Sequence, residues 1–113
     1  MTAKEGCLFC GIIAGDIPST MVREDADTVA FLDIKPAAPT HILVVPREHY
    51  ANLAEAQAAA PQLVSAVISA ATVIAQEAGV SDGWRLVFNT GERGGQTVFH
   101  VHAHVLGWPE SQA

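Results

Sequence analysis

Basic residues are scarce. Six lysines and arginines stand against twelve aspartates and glutamates, a formal net charge of −6. A broad cationic face for duplex nucleic acid is therefore not expected. A small anionic ligand stays open, because backbone N–H groups and a few histidines can hold one without a basic surface. Long apolar runs are also missing. None approaches the roughly 20 residues that span a bilayer, and Met1–Gly6 lacks the apolar core of a signal peptide. No membrane association and a cytoplasmic location are expected. Cysteine is limited to Cys7 and Cys10, three positions apart. In a reducing compartment that spacing points to metal or redox chemistry rather than a structural disulfide. Charged residues make up only 16% of the chain and hydrophobic residues half of it, which excludes a disordered protein. Repeats, low-complexity tracts and linkers are absent. The 113 residues suit one domain, expected over 1–113 with a frayed start at 1–6 and a short tail at 108–113.

What is present reads as short strands around one long helix. Leu8, Phe9, Ile12 and Ile13 recur at helical spacing, and Gly15–Ser19 ends that helix. Met21–Glu24 and Thr28–Leu32 form a predicted hairpin about Asp25–Asp27. His41–Val45 reads as a buried strand stopped by Pro46, and Asn52–Glu55 as a capped helical turn. The long helix starts at Pro61, a favoured first position, and runs to about Ala78 before Gly79. Its predicted apolar face is Leu63, Val64, Val67, Ile68, Ala71, Ile74 and Ala75. Trp84–Asn89 is a strand, 90–97 a glycine-rich loop and Val98–Leu106 the last strand. The expected class is α+β, with an antiparallel sheet of about five strands, one long helix and a short N-terminal helix.

Three of the five histidines fall at His100, His102 and His104, alternating with Val101, Ala103 and Val105. On a strand, side chains two apart share a face, so three imidazoles would project together. Such a row could be a solvated surface strand, a metal site or a nucleophilic centre. A third histidine at i+4 is too distant to join a metal already shared by two without distorting the strand. Imidazole is a good nucleophile near neutral pH and shuttles protons. The adjoining Gly94-Gly95-Gln96-Thr97 offers backbone N–H groups that could approach phosphate oxygens.

Gly94–Leu106, with Phe31–Ile34 and Pro39–Pro46 upstream in the same order, resembles the signature of the histidine triad (HIT) family, His-x-His-x-His followed by two apolar residues. The similarity covers residues 7–107. It is nearest the histidine triad nucleotide-binding branch, which are purine nucleoside phosphoramidases. The resemblance implies that His102 attacks the α-phosphorus of a nucleoside 5′-phosphoramidate, with His104 and His41 handling protons around the phosphate. It implies that Asn89, Gly95, Gln96, Thr97 and Val98 surround the phosphate and leaving group. Asp33 would bind the ribose, and Phe9, Ile12, Phe31 and Ile34 the purine. Without the resemblance these last four are equally plain core residues.

Some HIT proteins carry a Cys-x-x-Cys pair completed by two histidines as a structural zinc site. The matching positions are Cys7, Cys10, His49 and His100. Four protein ligands leave no open position for activating water, so the zinc would pin the N-terminal helix to the sheet and catalysis would need no cofactor. The implied partner is a purine nucleoside monophosphate or phosphoramidate, and the implied assembly a homodimer, for which the helix at 61–78 and the strand at 84–89 offer either a dimer surface or ordinary core packing. Two other functions remain open: hydrolysis of dinucleoside polyphosphates, and regulatory nucleotide binding with negligible turnover.

Overall fold

The computed structural model describes residues 4–110. The remainder of the expected frayed start and short tail, residues 1–3 and 111–113, lies outside them. The elements in chain order are α1 (Leu8–Ala14), β1 (Met21–Glu24), β2 (Thr28–Leu32), β3 (Thr40–Pro46), α2 (Leu53–Ala59), α3 (Pro61–Glu77), β4 (Trp84–Phe88) and β5 (Ala103–Gly107). A 3₁₀ turn lies at Glu92–Gly94. The α+β class and the five-stranded antiparallel sheet match expectation. No helix among the described residues is long and apolar enough to cross a membrane.

Local chemistry sets the helix boundaries. Cys7 caps α1, its Sγ accepting the Cys10 N–H at 3.3 Å, and Gly15 ends it in the left-handed conformation at φ 85°. Asn52 caps α2 by accepting the Glu55 N–H at 2.9 Å. The turn expected at Asn52–Glu55 is thus the start of a seven-residue helix. It breaks at Ala60, with φ −151° and ψ 65°, because a residue before proline avoids the helical region. Pro61 then opens α3.

The sheet order is β1-β2-β3-β5-β4. The last strand enters between β3 and β4, pairing Leu43 with His104 and Val87 with His104 on its two sides. Both faces are covered, and strand alternation sorts the residues between them. Ala30, Ile42, Val44, Ala103 and Val105 pack against Val67, Ala70, Ala71 and Ile74 of α3. Val29, Phe31, Leu43 and Val45 pack against Phe9 and Ile12 of α1. A strand buried on both faces reads as continuous apolar sequence, which explains Ile42–Val45. The buried face of α3 is Leu63, Val67, Ala70, Ala71, Ile74 and Ala75. Ile68, expected there, is exposed and Val64 is half-buried, because the contact stripe rotates toward Ala70.

The end of β5 is packed tightly against Val80, which lies shortly beyond α3. A Cβ added at Gly107 would lie 2.6 Å from Val80 Cγ2 and 3.0 Å from Val80 Cβ, and Val80 is buried. Gly107→Ala is expected to destabilise the fold by about 1–3 kcal/mol through overpacking. Urea unfolding checks this, and an unchanged midpoint would refute it.

Candidate functional site

The second face of the sheet does not close completely under α1. A cavity of about 390 Å³ remains, walled by Phe9 and Ile12 of α1, Phe31 of β2, Leu43 of β3, and Thr97 and Val98 of the loop before β5. Asp33, Ile34, His102 and His104 also border it. Of the residues expected to surround a nucleotide, Phe9, Ile12, Phe31, Asp33, Ile34, Thr97, Val98, His102 and His104 are therefore brought together. Asn89, Gly95, Gln96 and His41 do not line the cavity. Gln96 is buried. Its amide donates to the carbonyls of Ala51 at 2.6 Å and Val98 at 3.0 Å and accepts the Gly91 N–H at 2.9 Å. Asn89 donates to the Gly94 carbonyl at 2.9 Å. Leu8, Ile17, Pro18, Leu32 and Leu43 also line the cavity and were not anticipated. Leu43 lies two positions from His41 on β3, so strand alternation could have found it.

The last strand is shorter than expected. It begins at Ala103, not Val98. In the preceding segment the Val101 N–H donates to the Tyr50 carbonyl at 2.7 Å, away from the sheet, which bends the backbone out of regular pairing. The three imidazoles consequently do not form one row. His100 turns toward the cysteines, while His102 and His104 face one another with ring centroids 5.0 Å apart. His100 and His102 are buried rather than projecting into solvent.

Partner atoms assign the tautomers. His102 Nδ1 lies 2.8 Å from the His100 carbonyl and must carry the proton that it donates. Its Nε2 is left with a free lone pair. His41 Nδ1 accepts the Ala37 N–H at 2.9 Å, so its proton is on Nε2, which donates to His104 Nδ1 at 2.9 Å. His104 then carries its own proton on Nε2. Asp33 Oδ2 lies 3.4 Å from His41 Nε2, and Asp33 Oδ1 accepts the Lys35 N–H at 2.7 Å. The result is a directed chain from Ala37 through His41 to His104. Asp33, His41 and His104 lie close enough to hold a metal, but His41 Nε2 has no lone pair to give one.

Burial lowers the pKa of His102 below its ordinary value, against its bond to the His100 carbonyl and the charge of Asp33. His104 is lowered to about 4, first by burial and then by the neighbouring His102 and His41. Both imidazoles are therefore neutral at pH 7. Between pH 6.5, the ordinary value, and about 4, the unfolded chain binds a proton at His104 that the folded chain refuses. Stability attributable to this group is thus complete above pH 6.5 and falls as the pH drops through that window. Urea midpoints should show the fall, and His104→Gln should flatten it. An equally steep profile in the variant would contradict this.

The second cluster joins Cys7, Cys10, His49 and His100, whose ligand atoms all lie within 4.8 Å of one another. His100 Nδ1 is 3.5 Å from each sulfur, Cys10 Sγ is 3.4 Å from His49 Nδ1, and the two Nδ1 atoms are 3.1 Å apart. A tetrahedral zinc with bonds of ~2.3 Å to sulfur and ~2.0–2.1 Å to nitrogen would place S···N edges at about 3.6 Å and N···N edges at about 3.3 Å. The cluster fits. His100 Nε2 donates to the Pro46 carbonyl at 2.9 Å, freeing Nδ1 as a metal ligand in the usual outer-shell arrangement. Burial lowers His100 to about 4 and pushes the Cys10 thiol up, and a bound cation offsets the cost of ionising that thiol.

An imidazole with its lone pair free thus lies beside a proton-carrying neighbour at the edge of a largely apolar cavity. The chain belongs to the HIT domain family, whose model matches residues 14–110. It is 41% identical over 104 residues to the purine nucleoside phosphoramidase of Escherichia coli K12, covering 91% of this chain and 87% of that one. It is also 41% identical over 109 residues to a 14 kDa zinc-binding protein of Zea mays, covering 90% and 85%. A histidine triad protein from Clostridium difficile has the same fold, with TM-score 0.91, 40% identity and coverage of 99% and 98%.

Proposed function

We propose that this protein hydrolyses purine nucleoside 5′-phosphoramidates through a nucleotidyl-histidine intermediate on His102. The observation that carries the reading is the bond from His102 Nδ1–H to the His100 carbonyl, which leaves Nε2 unprotonated on a side chain bordering the cavity. The similarity to the Escherichia coli phosphoramidase supports the choice of leaving group. In the first step Nε2 bonds to the α-phosphorus as the P–N bond breaks. The departing nitrogen takes its proton from solvent, while the His104 Nε2–H, oriented by His41, hydrogen-bonds to it. Water then attacks phosphorus, the P–Nε2 bond breaks, nucleoside monophosphate leaves, and the proton lost by the water returns to solvent.

The other side chains take supporting parts. Phe9, Ile12, Phe31 and Ile34 would flank the base. Asp33 keeps acceptor capacity for ribose hydroxyls after its bond to Lys35. Asn89, Gly95 and Gln96 hold the loop in shape, with both Gln96 N–H donors spent on the carbonyls of Ala51 and Val98. The backbone N–H groups of Thr97 and Val98 make no backbone hydrogen bond among the described residues and would meet the phosphate oxygens as charge develops. Cys7, Cys10, His49 and His100 would hold structural zinc, whose chemistry is to cross-link α1 to the sheet. β4, at one end of the sheet order, and α3 would form the homodimer surface.

Incubation with adenosine 5′-phosphoramidate should release adenosine monophosphate, with a diadenosine polyphosphate cleaved far more slowly. An untouched phosphoramidate would overturn the proposal. Binding of adenosine monophosphate without turnover would instead make the protein a nucleotide-binding partner, and faster cleavage of the polyphosphate would change the substrate class.

A further inference from the structure

The metal cluster and the nucleotide cavity share structure at two points. Phe9 sits between the two cysteines in sequence and is itself buried. Its ring meets His102 edge-on at 5.0 Å, His100 at 6.1 Å and Phe31 at 5.4 Å, and it forms part of the cavity wall. His100 offers its ring to the cysteines and its carbonyl to His102. The helix that carries Phe9 has seven residues, and isolated helices below about 12–15 residues are marginal in water. Its position therefore depends on tertiary anchors, and Cys7 and Cys10 bracket its first turn.

We infer that metal bound at Cys7, Cys10, His49 and His100 and nucleotide bound in the cavity are energetically coupled through Phe9 and the His100 backbone. This rests on the nucleotide reading above and goes beyond a purely structural zinc. Metal fixes the ring of Phe9 as a preformed wall and fixes the carbonyl that sets the His102 tautomer. A nucleotide pressed against Phe9 in turn holds the first turn of α1 closed over the metal. Coupling between two ligands is reciprocal: whatever factor zinc contributes to nucleotide affinity, nucleotide returns to zinc affinity.

The test titrates adenosine monophosphate by calorimetry into zinc-loaded protein and into chelated protein kept folded at low temperature, as judged by circular dichroism. Zinc affinity is measured in parallel against a chromophoric chelator, with and without saturating adenosine monophosphate. Nucleotide affinity should fall about tenfold or more on zinc removal, and saturating nucleotide should tighten zinc by the same factor. Should the chelated protein unfold, the zinc-loaded protein alone decides. Nucleotide at saturation should then slow zinc release several-fold in wild type and much less in Phe9→Leu. Equal nucleotide affinity with and without zinc, or equal slowing in both proteins, overturns the coupling and leaves the nucleotide reading standing. Absence of nucleotide binding to the loaded protein overturns both. A protein that takes up no zinc overturns the coupling together with the metal site.

Discussion

Replacing His102 with alanine is expected to lower kcat for adenosine 5′-phosphoramidate by at least about a thousandfold, because no other group can form the covalent intermediate. Neither neighbour can substitute. His104 Nδ1 is engaged by His41 and its Nε2 carries the proton, so it offers donor rather than nucleophile. His100 has one ring nitrogen on Pro46 and the other among the cysteines. Affinity for adenosine monophosphate should change much less, since the base and ribose walls are separate residues. The imidazole packs against Phe9 at 5.0 Å, so truncation leaves a cavity, and His102→Gln serves as a fuller side chain that still lacks the nucleophile. Acid quenching of the wild type during turnover should trap nucleotide on the protein, and neither variant should trap any. Turnover within tenfold of wild type in both variants would remove His102 from the chemistry.

Removing zinc is expected to produce the largest loss of stability. A metal that binds only the folded state at about a thousand times its dissociation constant stabilises by about 4 kcal/mol, which in a domain of this size is on the order of 15 °C in melting temperature. The loss should concentrate at α1, whose cap is Cys7 Sγ, and spread to His49 and His100. Purified protein should carry about one zinc per chain. Cys10→Ser should reproduce most of the loss, and added zinc should not restore it. An unchanged melting temperature after complete chelation, or no zinc in the purified protein, would count against the metal reading.

Much of the fold was legible because β-strand alternation and helix capping are local. Pro61, Gly79 and the apolar stretch at Ile42–Val45 marked boundaries that hold within a residue or two. The last strand was misjudged for a physical reason. Alternation of His100, Val101, His102 and Ala103 looks the same whether the backbone pairs regularly or is drawn aside by a remote carbonyl, here that of Tyr50. The metal cluster and the buried Gln96 show the same limit. The spacing of Cys7 and Cys10 marks a metal or redox pair, but His49 and His100 join it only through family resemblance, since His49 lies 39 residues from Cys10. Backbone groups such as the Ala37 N–H and the Pro46 carbonyl, which decide the tautomers of His41 and His100, carry no side-chain signal at all.

The placement of β5 between β3 and β4 also governs the order in which the molecule can assemble. Of the five strands, the last in sequence is the interior one that joins β4 to the other three. Until Ala103–Gly107 arrives, β3 presents an open edge, β4 has no sheet partner, and α3 covers a layer with a gap between them. Pairings of such long sequence separation are slow to form, and unpaired edges invite association between nascent chains. His102 immediately precedes that strand and His104 lies on it. A chain halted at Phe99 would therefore possess the three helices and four strands, yet neither a joined sheet nor His102 and His104, so the proposed chemistry would appear only when folding is complete.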